Sequence, residues 1–334
     1  MKKLLIVLAL TFIVPAFATT GRADTIILKA GHTLTPDHPY HLGLVYLADL
    51  LKERTNGEVL LQPQPNSMLG NEQELIEYMQ MGSVEAAITS TGPLGGFTDA
   101  FLVFDLPFIF PDAATARRIL DGPIGQKILE SVENIDIIGI TFFENGFRQI
   151  TNSVRPILNP EDVKGLKIRT MQNKIHMATF SAIGAVPIPM PFGELYSAMK
   201  QGTIDGEENP IPLIYSSKFY EVQQYCSLTG HFYSPTPLFV SKTAWNKLTD
   251  EQKSIFRTAA AEARDYQRGL IDKQTAEYVD QLKEKGMRVD QVDKAVWLQA
   301  MEPVYDLFES QGGATALREV QRAIANHPAE PAAD

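Results

Sequence analysis

Hydrophobic and polar positions alternate between two periods along the first part of the chain. Short apolar runs typical of strands are followed by longer stretches with the 3.6-residue period of a helix. Strands are predicted over 25–30, 59–62 and 84–89, and helices over 38–55 and 72–81. This order predicts a parallel sheet, because parallel neighbours need a crossover connection between them.

The same order recurs after residue 160, with strands predicted over 166–170, 185–188 and 203–207 and helices over 174–183 and 194–201.

The two halves also share residues. ELIEYMQMGSVE at 74–85 aligns with ELYSAMKQGTID at 194–205, so that Glu, Leu, Met and Gly coincide. Chance likeness of helix–glycine–strand joints is the alternative to two equivalent lobes. If the lobes are equivalent, Thr89 and Asn209 correspond, each just past the carboxyl end of a central strand, where open α/β sheets bind ligands.

Two extended stretches, 135–152 and 225–241, would run between the lobes and form a hinge. A long helix then begins at the capping box of Thr249 and Gln252 and ends near Gly286. Its length of roughly 54 Å exceeds one lobe, so the helix must span both lobes or bend.

The composition of the chain argues against several classes of protein. The chain has 334 residues, 44% of them hydrophobic, and a net charge of −10 without a basic stripe, which argues against a nucleic-acid partner. The single cysteine, Cys226, excludes an internal disulfide and is interpreted as a small buried residue. No second segment is apolar enough for a transmembrane helix.

The N-terminus has the pattern of a secretory signal peptide. A basic start at Lys2 and Lys3 precedes an apolar run over 4–18 and small residues up to Ala23. Cleavage is predicted after Ala23, with Ala18 as the alternative, and the mature chain is expected in a periplasm.

Motifs of common enzymes are missing from the sequence. It contains no Gly-x-Ser-x-Gly, no phosphate-binding Gly-x4-Gly-Lys, no His-Glu-x-x-His and no Cys-x-x-Cys. The spacing of His32, His38 and His41 is not a metal-binding pattern, and helix-start or cleft-rim roles are favoured for them. We therefore expect no metal and no cofactor.

Arg169 is the most informative residue. It ends the strand of GLKIRT at 165–170, where a crevice would open, and a guanidinium can hold a carboxylate by two parallel hydrogen bonds. The alternative is that Arg169 belongs to the polar face of an edge strand. Arg148, in NGFRQITNS, has the same alternative.

Five segments together identify a family. LPFIF (106–110), NGFRQITNS (145–153), PEDVKGLKIRT (160–170), PMPFGELYSAMKQGTIDGEENP (189–210) and SLTGHFY (227–233) resemble the solute-binding proteins of TRAP (tripartite ATP-independent periplasmic) transporters. The resemblance covers nearly the whole mature chain. One departure is Glu207, where members often carry glutamine.

The resemblance implies a two-lobed periplasmic binding protein of the α/β class, each lobe a mainly parallel sheet flanked by helices, with a long helix along both lobes. It also implies a ligand carboxylate held by Arg169 and supported by Arg148 and Asn209. We assign 1–23 to the signal peptide, 24–145 plus 235–270 to lobe 1, and 146–234 plus 271–334 to lobe 2.

Four further candidates for ligand contacts are chosen only by their position in the predicted elements. Glu72 could accept hydrogen bonds from ligand hydroxyls, or its carboxylate could only interact favourably with the dipole at the start of its helix. His32 and His231 could line the site or be structural, and Thr89 rests on the repeat.

With the resemblance, we expect a monomer that captures a small organic acid and delivers it to the TRAP membrane permease without chemistry. A second carboxylate would be repelled by Glu72, so a sugar acid such as a hexuronate is favoured over a C4-dicarboxylate. The GEENP and SLTGHFY segments also look more like the sugar-acid branch. A periplasmic sugar-acid enzyme and a binding protein that serves a sensor are the rivals.

Overall fold

A computed structural model describes residues 25–326. The predicted signal peptide and its cleavage site, and the final residues 327–334, lie outside the described residues.

The first predicted alternation is confirmed. It forms β1 (Ile26–Gly31), α1 (Pro39–Arg54), β2 (Val59–Gln64), α2 (Glu72–Gln80) and β3 (Ala86–Ile88). β1 lies between β2 and β3 and is parallel to both. The boundaries differ from the predicted ones by no more than two residues at most ends, because strong apolar periods and helix caps define them.

The second alternation is confirmed as well, with β5 (Lys167–Thr170), α5 (Lys174–Ala182), β6 (Val186–Pro189), α6 (Leu195–Lys200) and β7 (Gly206–Pro210). β5 is parallel to β6 and β7, as β1 is to β2 and β3. The strand predicted over 203–207 was placed about three residues early, because Thr203–Asp205 form the turn that precedes β7.

The predicted extended stretch 135–152 is one strand, β4 (Ile137–Asn152), and it joins both sheets. Its first part pairs antiparallel with β9 (Tyr233–Ser241), which also pairs with β3. Its last part pairs antiparallel with β7. The two sheets therefore have the same order, β2-β1-β3-β9 and β6-β5-β7-β4. In each sheet the first three strands are parallel and the fourth is antiparallel to them.

The stretch 225–241 is not continuous, and the prediction of a second uninterrupted strand was wrong. β8 (Tyr225–Leu228) pairs with β4 and with β10 (Arg288–Gln291), whereas β9 belongs to the other sheet. Gly230, between β8 and β9, has φ of 57°, a left-handed conformation that breaks the strand.

The predicted long helix is α9 (Asp250–Glu284), and it runs without interruption through Gly269. Thr249 and Gln252 form both hydrogen bonds of the capping box. α9 contacts α1 beside the first sheet, β4, and then α7 (Ile211–Ser216) and β10 beside the second sheet. The helix thus spans both halves, as expected.

Seven other α-helices lie within residues 25–326, and the sequence patterns did not predict them. Besides α7 they are α3 (Ala113–Asp121), α4 (Pro123–Ser131), α8 (Lys242–Trp245), α10 (Lys294–Met301), α11 (Pro303–Phe308) and α12 (Ala314–Ala325). The apolar face of α12 packs beside α3 through Leu317 and Val320, next to the first sheet. The assignment of the lobes remains a prediction.

Candidate ligand-binding cleft

A polar cleft lies where the two sheets meet, at the carboxyl ends of their central strands. Three predicted residues, Arg169, Asn209 and Glu72, line it together. The other lining residues are Thr33, Leu34, Tyr40, Ser90, Asn145, Met171, Phe192 and Leu213. Since the lining comes from both sheets, a molecule in the cleft would contact both at once.

Arg169 is the cation of this cleft. It lies in β5, is 3% exposed, and donates from Nε and Nη2 to the carbonyl oxygen of Met190, at 3.0 and 2.8 Å. Nη1 has no partner among residues 25–326. Burial, together with the positive charge of Arg148, lowers the pKa of Arg169 to about 10, so the group is still protonated at neutral pH. A buried cation held from one side suits a carboxylate on the other.

Glu72 supplies a carboxylate to the same cleft. It opens α2, next to the N-cap Asn71, and its Oε1 accepts hydrogen bonds from the Ser90 amide at 2.6 Å and the Ser90 hydroxyl at 2.9 Å. Part of the residue is exposed, but its carboxyl is buried, and this burial raises its pKa despite the hydrogen bonds from Ser90. The arrangement fixes one oxygen and leaves Oε2 available as an acceptor.

Asn209 is the last residue but one of β7 and is 2% exposed. Its Nδ2 donates to Oε2 of Glu207, and Oδ1 has no partner among the described residues. Because the amide nitrogen is turned back into the protein, the amide oxygen is the group left for a ligand, and it would accept from a hydroxyl.

Two of the lining residues that the sequence patterns missed carry buried polar atoms without a partner. The Tyr40 hydroxyl and the Asn145 amide oxygen are buried without a hydrogen-bond partner in the described structure. Tyr40 follows Pro39 in the first turn of α1, and Asn145 lies at an irregularity of β4. Unsatisfied buried polar atoms are rare, so both are candidates for ligand contacts.

Arg148 does not line the cleft. It is 1% exposed, and Glu208 on β7 accepts from its Nε and, at 2.8 Å, from its Nη2. Burial opposes ionisation of this pair, but the Glu208 charge raises the pKa of Arg148 and the Arg148 charge lowers that of Glu208. The donors of Arg148 are thus largely occupied behind the cleft.

The remaining predicted residues also lie outside the lining. Thr89 is fully buried, and its neighbour Ser90 reaches the cleft instead. His231 is buried against Thr229 at 2.7 Å and Glu208 at 3.3 Å, and burial lowers its pKa. His32 contacts His41 at 3.2 Å and is also buried.

No metal site or membrane span is found in the described part. His38 caps α1 by accepting from the Tyr40 amide, which is the helix-start role expected for it. No group of three or more His, Cys, Asp or Glu side chains within 25–326 could hold a metal ion. None of the helices over these residues is both long and apolar enough to cross a bilayer.

Cys226 is buried, as predicted, and burial raises the pKa of its thiol.

Two similar sheets joined by long strands, with a charged cleft between them, define a two-lobed solute-binding protein. The model of the bacterial extracellular solute-binding proteins, family 7, matches residues 30–311. The chain belongs to this family, the solute-binding proteins of TRAP transporters, and the predicted fold class is confirmed.

Individual relatives support this assignment over most of their length. A solute-binding protein of Verminephrobacter eiseniae is 40% identical over 82% of each chain. The 2,3-diketo-L-gulonate-binding periplasmic protein YiaO of Escherichia coli K12 is 36% identical over 88% of this chain and 90% of its own. The crystal structure of a TRAP periplasmic solute-binding protein from Polaromonas sp. JS666, bound to D-erythronate, has a TM-score of 0.87 and 43% identity, and covers 89% of this chain and 98% of its own.

Proposed function

We propose that this protein captures a sugar acid, a small monocarboxylate with several hydroxyl groups, and delivers it unchanged to a TRAP permease. The observation that carries the proposal is that Arg169, from the second sheet, and Glu72, from the start of α2 beside the first sheet, line one cleft. Arg169 offers charged donors for one carboxylate, and Glu72 offers an acceptor from the other sheet's side of the cleft. The charges therefore match a ligand that is anionic at one end only.

The neutral groups of the cleft favour hydroxyls at the other end. Asn209 presents an oxygen, Tyr40 a hydroxyl and Asn145 an amide oxygen, and none of these three atoms has a partner within 25–326. A hydroxyl can both donate to the oxygens and accept from the phenol, whereas a second carboxylate can only accept. A C4-dicarboxylate would leave the amide oxygens unpaired and would meet the Glu72 charge.

The relatives named above are consistent with this class of ligand. Both 2,3-diketo-L-gulonate and D-erythronate carry one carboxylate and several neutral oxygen groups. Within the proposal, Arg169, Asn209 and Glu72 contact the ligand directly. Arg148 supports them from behind the cleft, and His32, Thr89 and His231 form the layer around them.

The cellular setting completes the proposal. The segment over 1–23 would direct the chain to the periplasm, where it would act as a monomer and hand its ligand to the membrane subunits of the transporter. No reaction is proposed, because the relatives named above are solute-binding proteins.

A ligand screen tests the proposal. Thermal shift and titration calorimetry would compare D-erythronate, D-gluconate, D-glucuronate and D-galacturonate with malate and succinate. Sugar acids should raise the melting temperature, since a ligand at 100 times its Kd adds about 2.7 kcal/mol of stability. Binding of the dicarboxylates alone would contradict the ligand class. Recovery of the ligand in altered form by mass spectrometry would favour the enzyme instead.

A further inference from the structure

Glu207 is a buried carboxyl directly behind the ligand-facing amide of Asn209. It lies in β7, is fully buried, and accepts from Asn209 Nδ2 through Oε2 and from the Thr151 hydroxyl, at 2.7 Å, through Oε1. Neither hydrogen bond involves a cation. A buried carboxylate without a paired cation is costly, so the neutral form of this group competes with the charged form.

The contacts of Thr151 provide a place for a proton. Its Oγ1 lies 2.7 Å from Oε1 of Glu207 and 3.2 Å from Oε1 of Gln223, and the amide nitrogen of Gln223 donates to the Val222 carbonyl. A hydroxyl has one proton and can donate to only one of two oxygens. If Glu207 carries a proton on Oε1, it donates to Thr151, which then donates to Gln223, and every contact is satisfied.

The charged and titratable groups around Glu207 lie on β7 itself and on four other strands. Arg148 on β4 is paired with Glu208 on the opposite face of β7, and Arg169 on β5 lies towards the cleft. Cys226 on β8 lies close enough to interact with Glu207 and with Asp290 on the adjacent strand β10. Burial, together with the Glu208 charge, raises the pKa of Glu207 to about 7, although the two hydrogen bonds and Arg148 oppose the shift.

We propose that Glu207 is a positioning residue that takes up a proton when an anionic ligand enters the cleft. It holds the amide of Asn209 with the oxygen towards the ligand, and from its place directly behind that amide it can relieve the added negative charge by protonation. This inference rests on the proposed function, because it needs an anionic ligand next to Asn209.

The direction of the pH dependence follows from linkage. A negative ligand raises the pKa of Glu207 above its value in the free protein, so binding is favoured at lower pH. The gain is complete below the free-state pKa of about 7 and is lost as pH rises through the higher pKa of the complex. The imidazoles of His32 and His231 have lowered pKa values and stay neutral in this range, so they contribute no proton.

Titration calorimetry with D-erythronate, in phosphate and in Tris at pH 6.0, 7.0 and 8.0, counts the protons exchanged. The wild type should take up close to one proton per ligand near pH 8, and its Kd should increase towards tenfold per pH unit above about pH 7. Glu207→Gln keeps the shape and the hydrogen bonds of the neutral carboxyl. It should bind with a nearly constant Kd from pH 6 to 8 and take up almost no proton.

Glu74→Gln is the matched control, because Glu74 is a carboxylate of α2 that does not line the cleft. This variant should keep the proton uptake of the wild type. Uptake that persists in Glu207→Gln, including the case in which it is lost in Glu72→Gln instead, would overturn the inference while leaving the proposed function intact. Failure of the wild type to bind D-erythronate at any pH would count against both.

Discussion

The guanidinium of Arg169 is anchored on the backbone carbonyl of Met190. Two of its nitrogens, Nε and Nη2, donate to that one oxygen at 3.0 and 2.8 Å. Arg169 lies in β5, and Met190 directly follows the neighbouring strand β6. The anchor orients a buried cation before any ligand arrives, so less conformational freedom has to be lost on binding.

Arg169→Ala should abolish measurable binding of sugar acids and leave the fold intact. Charged hydrogen bonds contribute about 1.5–3 kcal/mol each, so the loss should reach at least about 100-fold. Arg169→Lys should also bind weakly, because an ammonium group cannot reproduce both the anchor and the carboxylate contact. Calorimetry measures the affinity, and circular dichroism checks the fold. Near wild-type affinity in Arg169→Ala would refute the assignment.

Arg148→Met should have the opposite outcome, with a large effect on stability. It leaves the Glu208 carboxylate buried without its cation, and breaking a buried pair costs about 3–5 kcal/mol. Urea denaturation measures this free energy of unfolding. The double variant Arg148→Met/Glu208→Leu should recover part of the loss. A stable Arg148→Met protein that no longer binds would indicate direct ligand contact instead.

Glu72→Gln should relax the selectivity against dicarboxylates. Removing the charge lowers the repulsion of a second ligand carboxylate, so affinity for succinate should rise relative to D-gluconate, by about tenfold for each 1.4 kcal/mol removed. Parallel titrations give the ratio. Glu74→Gln, which alters a carboxylate of the same helix outside the cleft lining, serves as the control. An unchanged ratio would mean that Glu72 serves only the start of α2.

Glu207→Gln should also stabilise the ligand-free protein, most strongly at alkaline pH. A carboxyl with a raised pKa favours the folded state below the unfolded pKa of 4.5, and this contribution is lost as pH rises through about 7. At pH 8 the ionised group costs up to about 3 kcal/mol, which glutamine avoids. The melting temperatures of both proteins at pH 5 and pH 8 test this, and equal differences at the two values would contradict it.

Closure of the cleft should depend on Asn173. Its Nδ2 donates to the Gly92 carbonyl at 3.0 Å and to Asp105 at 2.8 Å, which joins the segment after β5 to the segment after β3. Asn173→Asp keeps the cap of α5 but places a carboxylate against Asp105, so it should favour an open form with weaker binding. Small-angle scattering should show a larger radius of gyration than in the wild type. An identical radius would argue against this contact as a latch.

The fold could be read from the sequence where local signals were strong. The capping box of Thr249 and Gln252 defined the start of α9, and the shift of 120 residues matched β3 with β7. The break at Gly230 was missed, because the apolar residues on both sides continue the period of a strand. Short helices such as α10 and α11 depend on tertiary packing more than on a pattern of their own.

A position at the end of a strand correctly predicted which residues could reach the site, but the sequence did not predict the direction in which their side chains point. Arg169 and Asn209 lie at the carboxyl ends of β5 and β7, and both line the cleft. The ion pair between Arg148 and Glu208 could not be predicted from the sequence, because it depends on the register of β4 against β7. Similarly, Ser90 rather than Thr89 faces the cleft, since successive residues point to opposite sides.

The shared strand β4 has a consequence for synthesis of the protein. β3 reaches β4 only through β9, and β9 ends at Ser241, after all the strands from β5 to β8 have been made. A nascent chain leaving the ribosome therefore holds β1, β2 and β3 without their inner partner until most of the polypeptide exists. In a protein of two consecutive domains, the first sheet would be complete when half of the chain had been made. Here it stays incomplete for longer, and neither half should fold as an autonomous fragment.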